Sequence, residues 1–387
     1  MPLTPALAPY RVDLIDTADG LDALAPDWRR LADDPACGVG FFQSFEFARL
    51  AFGCALTSQA GRPLIAVARD AAGAVALILP LLVRRGHGVK IANWLGGAFV
   101  TTGDAIAPAH ADIAAAGAAI RHRLKTAGVA DLLLLRYVPH TARLADWLGD
   151  CATARLAQGP APYLALTAAT YASLYEARVS KVERGKRGRK RRRLAEIGPL
   201  HLDVAAATPA AVADLKAGLA LKRAWVAERG LISGQLHDPY ADALMLACAS
   251  EHPGFECRTL RAGDELLNFV IALRGPRHVI YNLTVYNPAY ERWSPGLIHL
   301  EDQIAAWMAQ GLEAIDFGNG INPYKMEWTD VVRTHNDYAV ALNLAGRAYI
   351  HATLHIAQPL MRRVYYGLSA DMRRKALSVF KAITGGG

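Results

Sequence analysis

The sequence predicts an α+β protein with α/β/α layers, in which two similar units follow one another and a helical tail ends the chain. Three observations support this fold class. The chain has 387 residues, which is enough for two or three domains with their own cores. Its 52% hydrophobic and 20% charged residues exclude intrinsic disorder. Finally, one order of predicted elements occurs twice, with mixed, mainly antiparallel sheets expected in both units.

The second unit shows this order clearly. A strand and two helices precede three strands, and a helix and two short strands follow them. Turn residues at 262–264 and 275–276 separate the three central strands, as in β-hairpins. The predicted strands are 199–205, 255–261, 265–274, 278–286, 314–318 and 338–344, and the predicted helices are 209–229, 238–250 and 295–310.

The first unit repeats the order at an offset of about 190 residues, without repeating the residues themselves. Its predicted strands are 10–16, 63–70, 74–83, 88–95 and 131–138, and its predicted helices are 20–32, 43–53 and 109–127. A doubly wound sheet would alternate strand and helix throughout, and is therefore excluded. The predicted organisation is a first unit at 1–165, a basic linker at 166–198, a second unit at 199–345 and a tail at 346–387. This order resembles the GNAT acyltransferase fold, here in tandem.

The positive charge is concentrated in one segment. The chain carries a formal net charge of +8, and the segment 178–193 contains ten basic residues and a single acid, Glu183. Such a segment is compatible with a solvated linker helix, with an anionic membrane or polyanion, or with a small phosphate ligand. No aromatic residue interrupts it, so it offers no platform for stacked bases.

The helix at 295–310 begins with features of an anion site. Ser294 is a favoured N-cap, Pro295 is tolerated next to it, and the amides of Gly296 and Leu297 are expected to be free. Together with the helix dipole, Ser294, Gly296, Leu297 and Ile298 form the predicted cofactor-binding set. The helix buries Leu297, Leu300, Ile304 and Trp307, and its predicted polar side carries His299, Asp302, Gln303 and Gln310. The matching stretch of the first unit, 91–109, is a longer loop, which suggests a different role for that unit.

A carboxylate, a phenol and an ammonium group follow within ten residues of one another. Alternation places Asp316 on the opposite face of its strand from Ile315 and Phe317, where a buried acid must be paired or functional. Acyl transfer to an amine needs a proton acceptor and a proton donor, and Asp316 and Tyr324 have these chemical types. Alternatively, Asp316 accepts hydrogen bonds from the backbone amides of the glycine turn 318–320 and pairs with Lys325, which would then be an anchoring cation.

These spaced residues resemble the cellulose-biosynthesis-type acetyltransferases of the GNAT superfamily. The resemblance covers about 330 residues and includes Ser294 to Gly296, Ile315 to Gly320, Tyr324-Lys325, Trp328, Trp28 to Leu31, Phe42-Gln43, Leu79 to Leu81 and the basic stretch 184–198. It implies a tandem fold like that of the Fem-type peptidyltransferases, a catalytic second unit, and a CoA-thioester donor. Relatives often have a His shortly before a helical Trp, where this chain has Lys222 and Trp225.

The function expected from the resemblance is N-acyl transfer from acetyl-CoA or another acyl-CoA, without a metal, to an amine of a sugar nucleotide or an envelope or exopolysaccharide precursor. Asp316 and Tyr324 are the expected catalytic residues, and Tyr281, Trp225 and Lys325 the expected substrate-binding residues. Two alternatives stay open: an aminoacyl-tRNA-dependent Fem-type transferase, and a non-catalytic scaffold of an envelope-polysaccharide complex.

The remaining features exclude other classes. Five scattered cysteines without a CxxC pair favour a reducing cytoplasm, as does the lack of a signal-like N-terminus. No apolar run reaches the ~20 residues that span a bilayer. His351 and His355 have metal-ligand spacing but no third ligand nearby, so a packed or solvated pair is expected. The basic tail from His351 to Ala382 is expected to dock on the protein, with membrane binding as the alternative.

Overall fold

The computed structural model describes residues 10–369 and 372–373. The tail residues Arg374, Lys375 and Lys381 and the N-terminal residues 1–9, which entered the expectations above, lie outside the described part. The first half contains strands β1 to β6 and helices α1 to α4, followed by the connecting helices α5 and α6. They are β1 Arg11–Ile15, α1 Ala18–Asp33, α2 Phe45–Thr57, β2 Arg62–Arg69, β3 Val75–Gly86, β4 Val89–Trp94, α3 Ile113–Thr126, β5 Leu132–Pro139, α4 Ala145–Cys151, β6 Ala154–Ala165, α5 Tyr171–Arg178 and α6 Lys181–Ala195.

The second half repeats this order and adds further helices at its end. Its elements are β7 Leu200–Ala205, α7 Pro209–Glu228, α8 Gly234–His237, α9 Pro239–Glu251, β8 Phe255–Ala262, β9 Glu265–Arg274, β10 His278–Tyr286, α10 Pro295–Ala309, β11 Ala314–Asp316, α11 Pro323–Trp328, β12 Val331–Ala341, α12 Leu344–Tyr349 and α13 Gln358–Gly367. The predicted elements are thus present, most of them within a few residues of the predicted bounds. The last strand differs most, since it begins at Val331 rather than at 338.

The two halves share one continuous sheet, whose strand order is β1-β2-β3-β4-β5-β12-β6-β11-β10-β9-β8-β7. Neighbouring strands are antiparallel except β4 with β5 and β10 with β11. The predicted fold class, a mixed sheet with helices in tandem units, is confirmed, but separate sheets for the two units are not formed. Each half places its last strand next to the other half: β6 pairs with β11, and β12 pairs with β5. This exchange joins what would otherwise be two sheets.

Strand β6 was not predicted, because it contains Gly159, Pro160 and Pro162. Proline cannot donate to a sheet ladder and normally excludes an interior strand. Here the carbonyls of Pro162 and Pro160 accept hydrogen bonds from the amides of Phe317 and Gly320, in the turn after β11. The nitrogen and the carbonyl of one residue point to the same side of a strand. The proline nitrogens therefore face the turn after β11, whose amides act there as hydrogen-bond donors.

The main apolar core extends across both halves. Helix α2 begins at Ser44, whose hydroxyl caps it by accepting the amide of Phe47, and it packs against α9 of the other half. Tyr240 of α9 is buried and donates its phenol proton to the carbonyl of Ala51, at 2.9 Å. Arg84 of β3 pairs with Asp238 at the start of α9. The two halves are therefore held together by packing as well as by the shared sheet.

Candidate functional site

The sheet opens at one point of the second half. Strands β10 and β11 pair for three residues only, from His278 with Ala314 to Ile280 with Asp316. Strand β11 then ends, whereas β10 continues to Tyr286. The pairing of β10 with β9 also shifts between Tyr281 and Leu283, as at a β-bulge. A wedge therefore separates the outer part of β10 from the segment that follows β11.

Two phenols line this wedge. Tyr281 is buried, and its ring lies 6.4 Å from that of Trp307 and 6.0 Å from that of Phe317, both edge to face. Burial raises the pKa of Tyr281, and it raises the pKa of Tyr324 to about 12. Tyr324 packs against the same apolar cluster. Both phenols therefore stay protonated at neutral pH, and each can donate a proton.

Two lysines approach the same place from different elements. Lys325 donates to the carbonyl of Phe317 at 2.6 Å, and Lys222 of α7 donates to the carbonyl of Thr284 at 2.8 Å. Burial lowers the pKa of each to about 8, and the positive charge of Lys325 contributes to the shift of Lys222. The Lys222 ammonium lies 4.5 Å from the ring centre of Trp225, which brings Trp225 to this site. Tyr281, Tyr324, Lys325 and Trp225 are thus brought together.

The lowered pKa of Lys325 predicts a pH effect on stability. Between pH 8 and 10.5 the unfolded chain holds a proton on this lysine that the folded chain has lost, so raising the pH favours folding. The difference in free energy of unfolding between the natural protein and Lys325→Met should therefore shift by about 2 kcal/mol in favour of the natural protein between pH 7.5 and 10. Urea unfolding at the two pH values measures it, and a constant difference would contradict the shift.

Asp316 lies at the inner end of the wedge. Its side chain is on the opposite face from the buried Ile315 and Phe317, as alternation predicted, and it is 8% exposed. Its Oδ1 accepts the amide of Gly318 at 2.7 Å, which is the turn contact of the structural alternative. The same alternative expected an ion pair between Asp316 and Lys325. The Lys325 ammonium instead donates its hydrogen bond to the carbonyl of Phe317. Asp316 acts on Lys325 through its charge, which partly offsets the lowering of that pKa by burial.

The start of α10 differs from the expectation. Ser294 has a left-handed backbone (φ 50°, ψ 55°) and its hydroxyl makes no capping bond. Instead it accepts a hydrogen bond at 2.7 Å from Lys190 of the basic helix α6. The amides of Leu297 and Ile298 both donate to the carbonyl of Ser294, so Leu297 is not free, and the side chain of Ile298 is buried. The amide of Gly296 has no carbonyl partner in the described part of the chain, so the groups that remain for the predicted anion site are Gly296, Ser294 and Lys190.

Helix α10 is also buried on more sides than the sequence suggested. His299 and Gln303, expected on the polar side, are 1% and 2% exposed. His299 faces β9, where its Nδ1 lies 2.7 Å from Oδ1 of Asn268, and burial lowers the pKa of His299 to about 3. The sheet covers one side of α10 and α6 another, which explains why its polar residues are enclosed.

The basic helix α6 docks on α10 through its charges. Arg187 is buried and pairs with Glu301 of α10 and Glu327 of α11, and Arg191 pairs with Asp302. Among the described residues, seven of the ten basic side chains of 178–193 have an ion-pair or hydrogen-bond partner within the protein. The three that have none are exposed: Lys181, Arg189 and Arg192. Most of this charge is therefore used within the protein.

Sequence reasoning missed Lys190 and Lys222 as site residues, because each comes from a separate element. The position of Lys222 could have been predicted from the sequence, because it precedes Trp225 by three residues and therefore lies on the same face of the helix. The described residues hold no group of three His, Cys, Asp or Glu side chains arranged for a metal, and the rings of His351 and His355 lie 6.4 Å apart. Within the same part of the chain, no helix combines the length and apolarity needed to cross a membrane.

Residues 182–326 match a protein family described as acetyltransferase (GNAT) domain. The second half of the chain thus carries a GNAT-type acetyltransferase domain, and the expected enzyme class, a GNAT-type N-acyltransferase, is confirmed by this match. No curated protein matches the chain.

Solved structures support the fold of the whole chain. FemX has a TM-score of 0.56 at 10% identity, covering 88% of this chain and 99% of its own. The C-terminal domain of a putative lysylphosphatidylglycerol synthetase from Agrobacterium fabrum gives 0.53 at 11% identity, covering 88% and 97%. L-PGS from Bacillus licheniformis gives 0.50 at 12% identity, covering 85% and 93%. At such identities the likeness concerns the fold alone.

Proposed function

We propose that the protein transfers an acyl group from coenzyme A to an amine. The observation that carries the proposal is the wedge between β10 and β11, together with the groups that meet there. A thioester arm needs an opening through the sheet, and the separation of the strands beyond Ile280 provides one. The backbone groups of β10 on that side have no strand partner in the described structure and are available to an extended ligand.

The side chains of the wedge supply the two proton transfers of the reaction. The amine nitrogen forms a bond to the thioester carbonyl carbon, and the bond from that carbon to sulfur breaks. The proton of the amine passes to Asp316, directly or through a water molecule, and Tyr324 donates its phenol proton to the departing sulfur. Tyr324 suits this role because burial, which raises its pKa to about 12, keeps it protonated.

Trp225 and its cations form a wall for the acceptor. The Lys222 ammonium lies 4.5 Å and the Arg229 guanidinium 4.1 Å from the centre of its ring. This wall suits an acceptor that carries phosphate beside its amine, such as a nucleotide-linked amino sugar or another envelope precursor. The sequence resemblance to the cellulose-biosynthesis type supports the same choice, and a cytoplasmic location would fit such precursors.

The start of α10 is the proposed binding place of the coenzyme's pyrophosphate. The Gly296 amide, the positive end of the helix dipole and the Lys190 ammonium lie together there. The use of most basic side chains of 178–193 in internal pairs favours this small anionic ligand over tRNA.

Lys190→Gln should weaken the binding of acetyl-CoA about tenfold, which corresponds to about 1.4 kcal/mol for one charged hydrogen bond. Isothermal titration calorimetry measures the affinity. Lys186→Gln is the matched control, because Lys186 is on the same helix but pairs with Glu183 on the exposed side. Failure of the natural protein to bind acetyl-CoA, combined with tRNA binding that weakens steeply with salt, would favour the aminoacyl-tRNA alternative.

A further inference from the structure

A large cavity lies beside the parallel strands of the first half, at the place that corresponds to the wedge of the second half, and elements of both halves line it. Strands β4 and β5 run parallel and pair only at Ile91 and Ala92. Beyond this point they separate, and Trp94 of β4 and Arg136 of β5 line a cavity of about 1140 Å³. This volume is slightly above the range of about 300–1,000 Å³ that is usual for small-molecule sites. The repeat therefore produces an opening in both halves, by the same separation of parallel strands.

Helix α13 forms one wall of this cavity and presents apolar side chains to it. Leu360, Met361 and Val364 line the cavity and are 60%, 60% and 59% exposed. The helix is held by Tyr365, whose phenol donates to the carbonyl of Gly230 at 3.1 Å. Large apolar side chains left accessible on a tethered helix are typical of a ligand site. A ligand with an apolar chain would remove them from water.

The charged groups of the lining are all positive. They are Arg84, Arg136 and Arg362, and none of the described residues of the lining is a carboxylate. Arg84 is neutralised by Asp238 at 2.8 Å. The closest ion-pair contact of Arg136 is longer, 3.7 Å to Asp337, and Arg362 has no ion-pair partner among the described residues. Arg362, and the part of the Arg136 guanidinium that its pair with Asp337 leaves exposed, therefore face an anion on an otherwise mainly apolar surface; the Arg136 side chain is 41% exposed.

The backbone around these arginines is held in an unusual conformation. Tyr137 has a φ of 54°, which is rare for a bulky residue. Its amide donates to Asp337 Oδ1 at 3.0 Å and its carbonyl accepts the amide of Gly103 at 3.0 Å. Burial and the negative charge of Asp337 raise the pKa of the Tyr137 phenol, while Arg136 and Arg362 act in the opposite direction, which indicates that both guanidinium groups and the Asp337 carboxylate lie near this ring. Such strain persists where the surroundings fix it, often at ligand sites.

The cavity also reaches the second half. Gln235 and Thr101 line it, and both bind Asn282, the residue at the bulge of β10: Gln235 Nε2 donates to Asn282 Oδ1 at 2.9 Å, and Asn282 Nδ2 donates to Thr101 Oγ1 at 3.1 Å. Three hydrogen-bonded side chains thus connect this cavity with the wedge.

We propose that this cavity binds an anionic amphiphile, a molecule with an acyl or prenyl chain and a phosphate or carboxylate group. The apolar chain lies against Leu360, Met361 and Val364 of α13, and the anionic group lies between Arg136 and Arg362. This assignment depends only on the first-half cavity and stands apart from the acyl-transfer proposal.

Dodecyl phosphate, used below its micelle-forming concentration, is the probe, and titration calorimetry measures its binding. Arg136→Gln and Arg362→Gln should each weaken binding about tenfold. Arg363→Gln should leave it unchanged, because Arg363 is the next residue on the same exposed helix but does not line the cavity. A neutral probe of equal chain length, dodecyl maltoside, should bind more weakly, with the same affinity in all four proteins. Acetyl-CoA affinity should be unaffected by Arg362→Gln.

Three results would overturn the proposal. Equal loss of dodecyl phosphate binding in Arg363→Gln would show that only the overall charge of α13 matters. Equal affinities for the neutral and the anionic probe would show that the arginines do not recognise the anion. A double variant, Leu360→Gln with Val364→Gln, tests the apolar wall: it should weaken both probes while the melting temperature stays within a few degrees, and unchanged binding would also refute the assignment.

Discussion

Asp316→Asn should lower kcat by about 10²- to 10³-fold, the range that loss of a general base commonly causes. The substitution separates the two roles open to this residue. The amide oxygen of asparagine can still accept the Gly318 amide, which Asp316 Oδ1 now does at 2.7 Å, so the turn after β11 is retained. What is lost is the negative charge and the capacity to take a proton. A purely structural Asp316 would tolerate the change.

Thiol release from acetyl-CoA, followed with a panel of amino sugars and nucleotide-linked amino sugars, measures the effect. Glu313→Gln is the matched control, because Glu313 precedes β11 by one residue, is exposed and pairs with Arg277 outside the wedge. We expect the control to keep its turnover and both variants to keep their melting temperatures. Full turnover of Asp316→Asn would refute its role as proton acceptor, and equal losses in the two variants would point to strand β11 as a whole.

Much of the fold could be predicted because the sequence marks its strands and turns clearly by apolar runs and turn residues. The hairpins of β8, β9 and β10 have apolar strands separated by glycine-containing turns, and the structure forms them at nearly the predicted residues. The exchange of β6 and β12 could not be predicted, since local alternation carries no information about which distant strand becomes the neighbour. Strand β6 was hidden as well by Pro160 and Pro162, which have no amide proton to donate to a neighbouring strand; in the structure their carbonyls accept hydrogen bonds from the turn after β11.

The part of the candidate site that could be predicted from the sequence is the part formed by residues close together in the chain. The face of Asp316 followed from strand alternation, and Tyr324 and Lys325 follow it closely in the sequence. The start of α10 was misjudged, because the left-handed backbone of Ser294 directs its hydroxyl to Lys190 rather than to its own helix. Lys190 and Lys222 reach the site from α6 and α7. Their positions there depend on how these helices pack in the tertiary structure, which a local sequence pattern does not show.

Arg187→Met should lower the free energy of unfolding by about 3–5 kcal/mol. Arg187 is 6% exposed and binds Glu301, which is 5% exposed, as well as Glu327 at 2.6 Å. Methionine fills much of the space but leaves the Glu301 carboxylate buried without its main cation. Arg193→Met is the control on the same helix, and it should change stability by less than about 0.5 kcal/mol because its pair with Glu196 is exposed. Urea unfolding of both variants measures the difference.

The pH dependence of this loss identifies its cause. Burial raises the pKa of Glu301 even with Arg187 present, and removing the arginine raises it further. A carboxyl whose folded pKa exceeds its unfolded pKa destabilises the protein above that folded pKa, and the cost disappears as the pH falls and the group takes up a proton. The deficit of Arg187→Met should therefore be smaller at pH 5 than at pH 7.5, and adding Glu301→Gln should recover part of it. If Arg187→Met instead unfolds like Arg193→Met, α6 is a weakly attached linker, and its charges are available to a polyanion or a membrane.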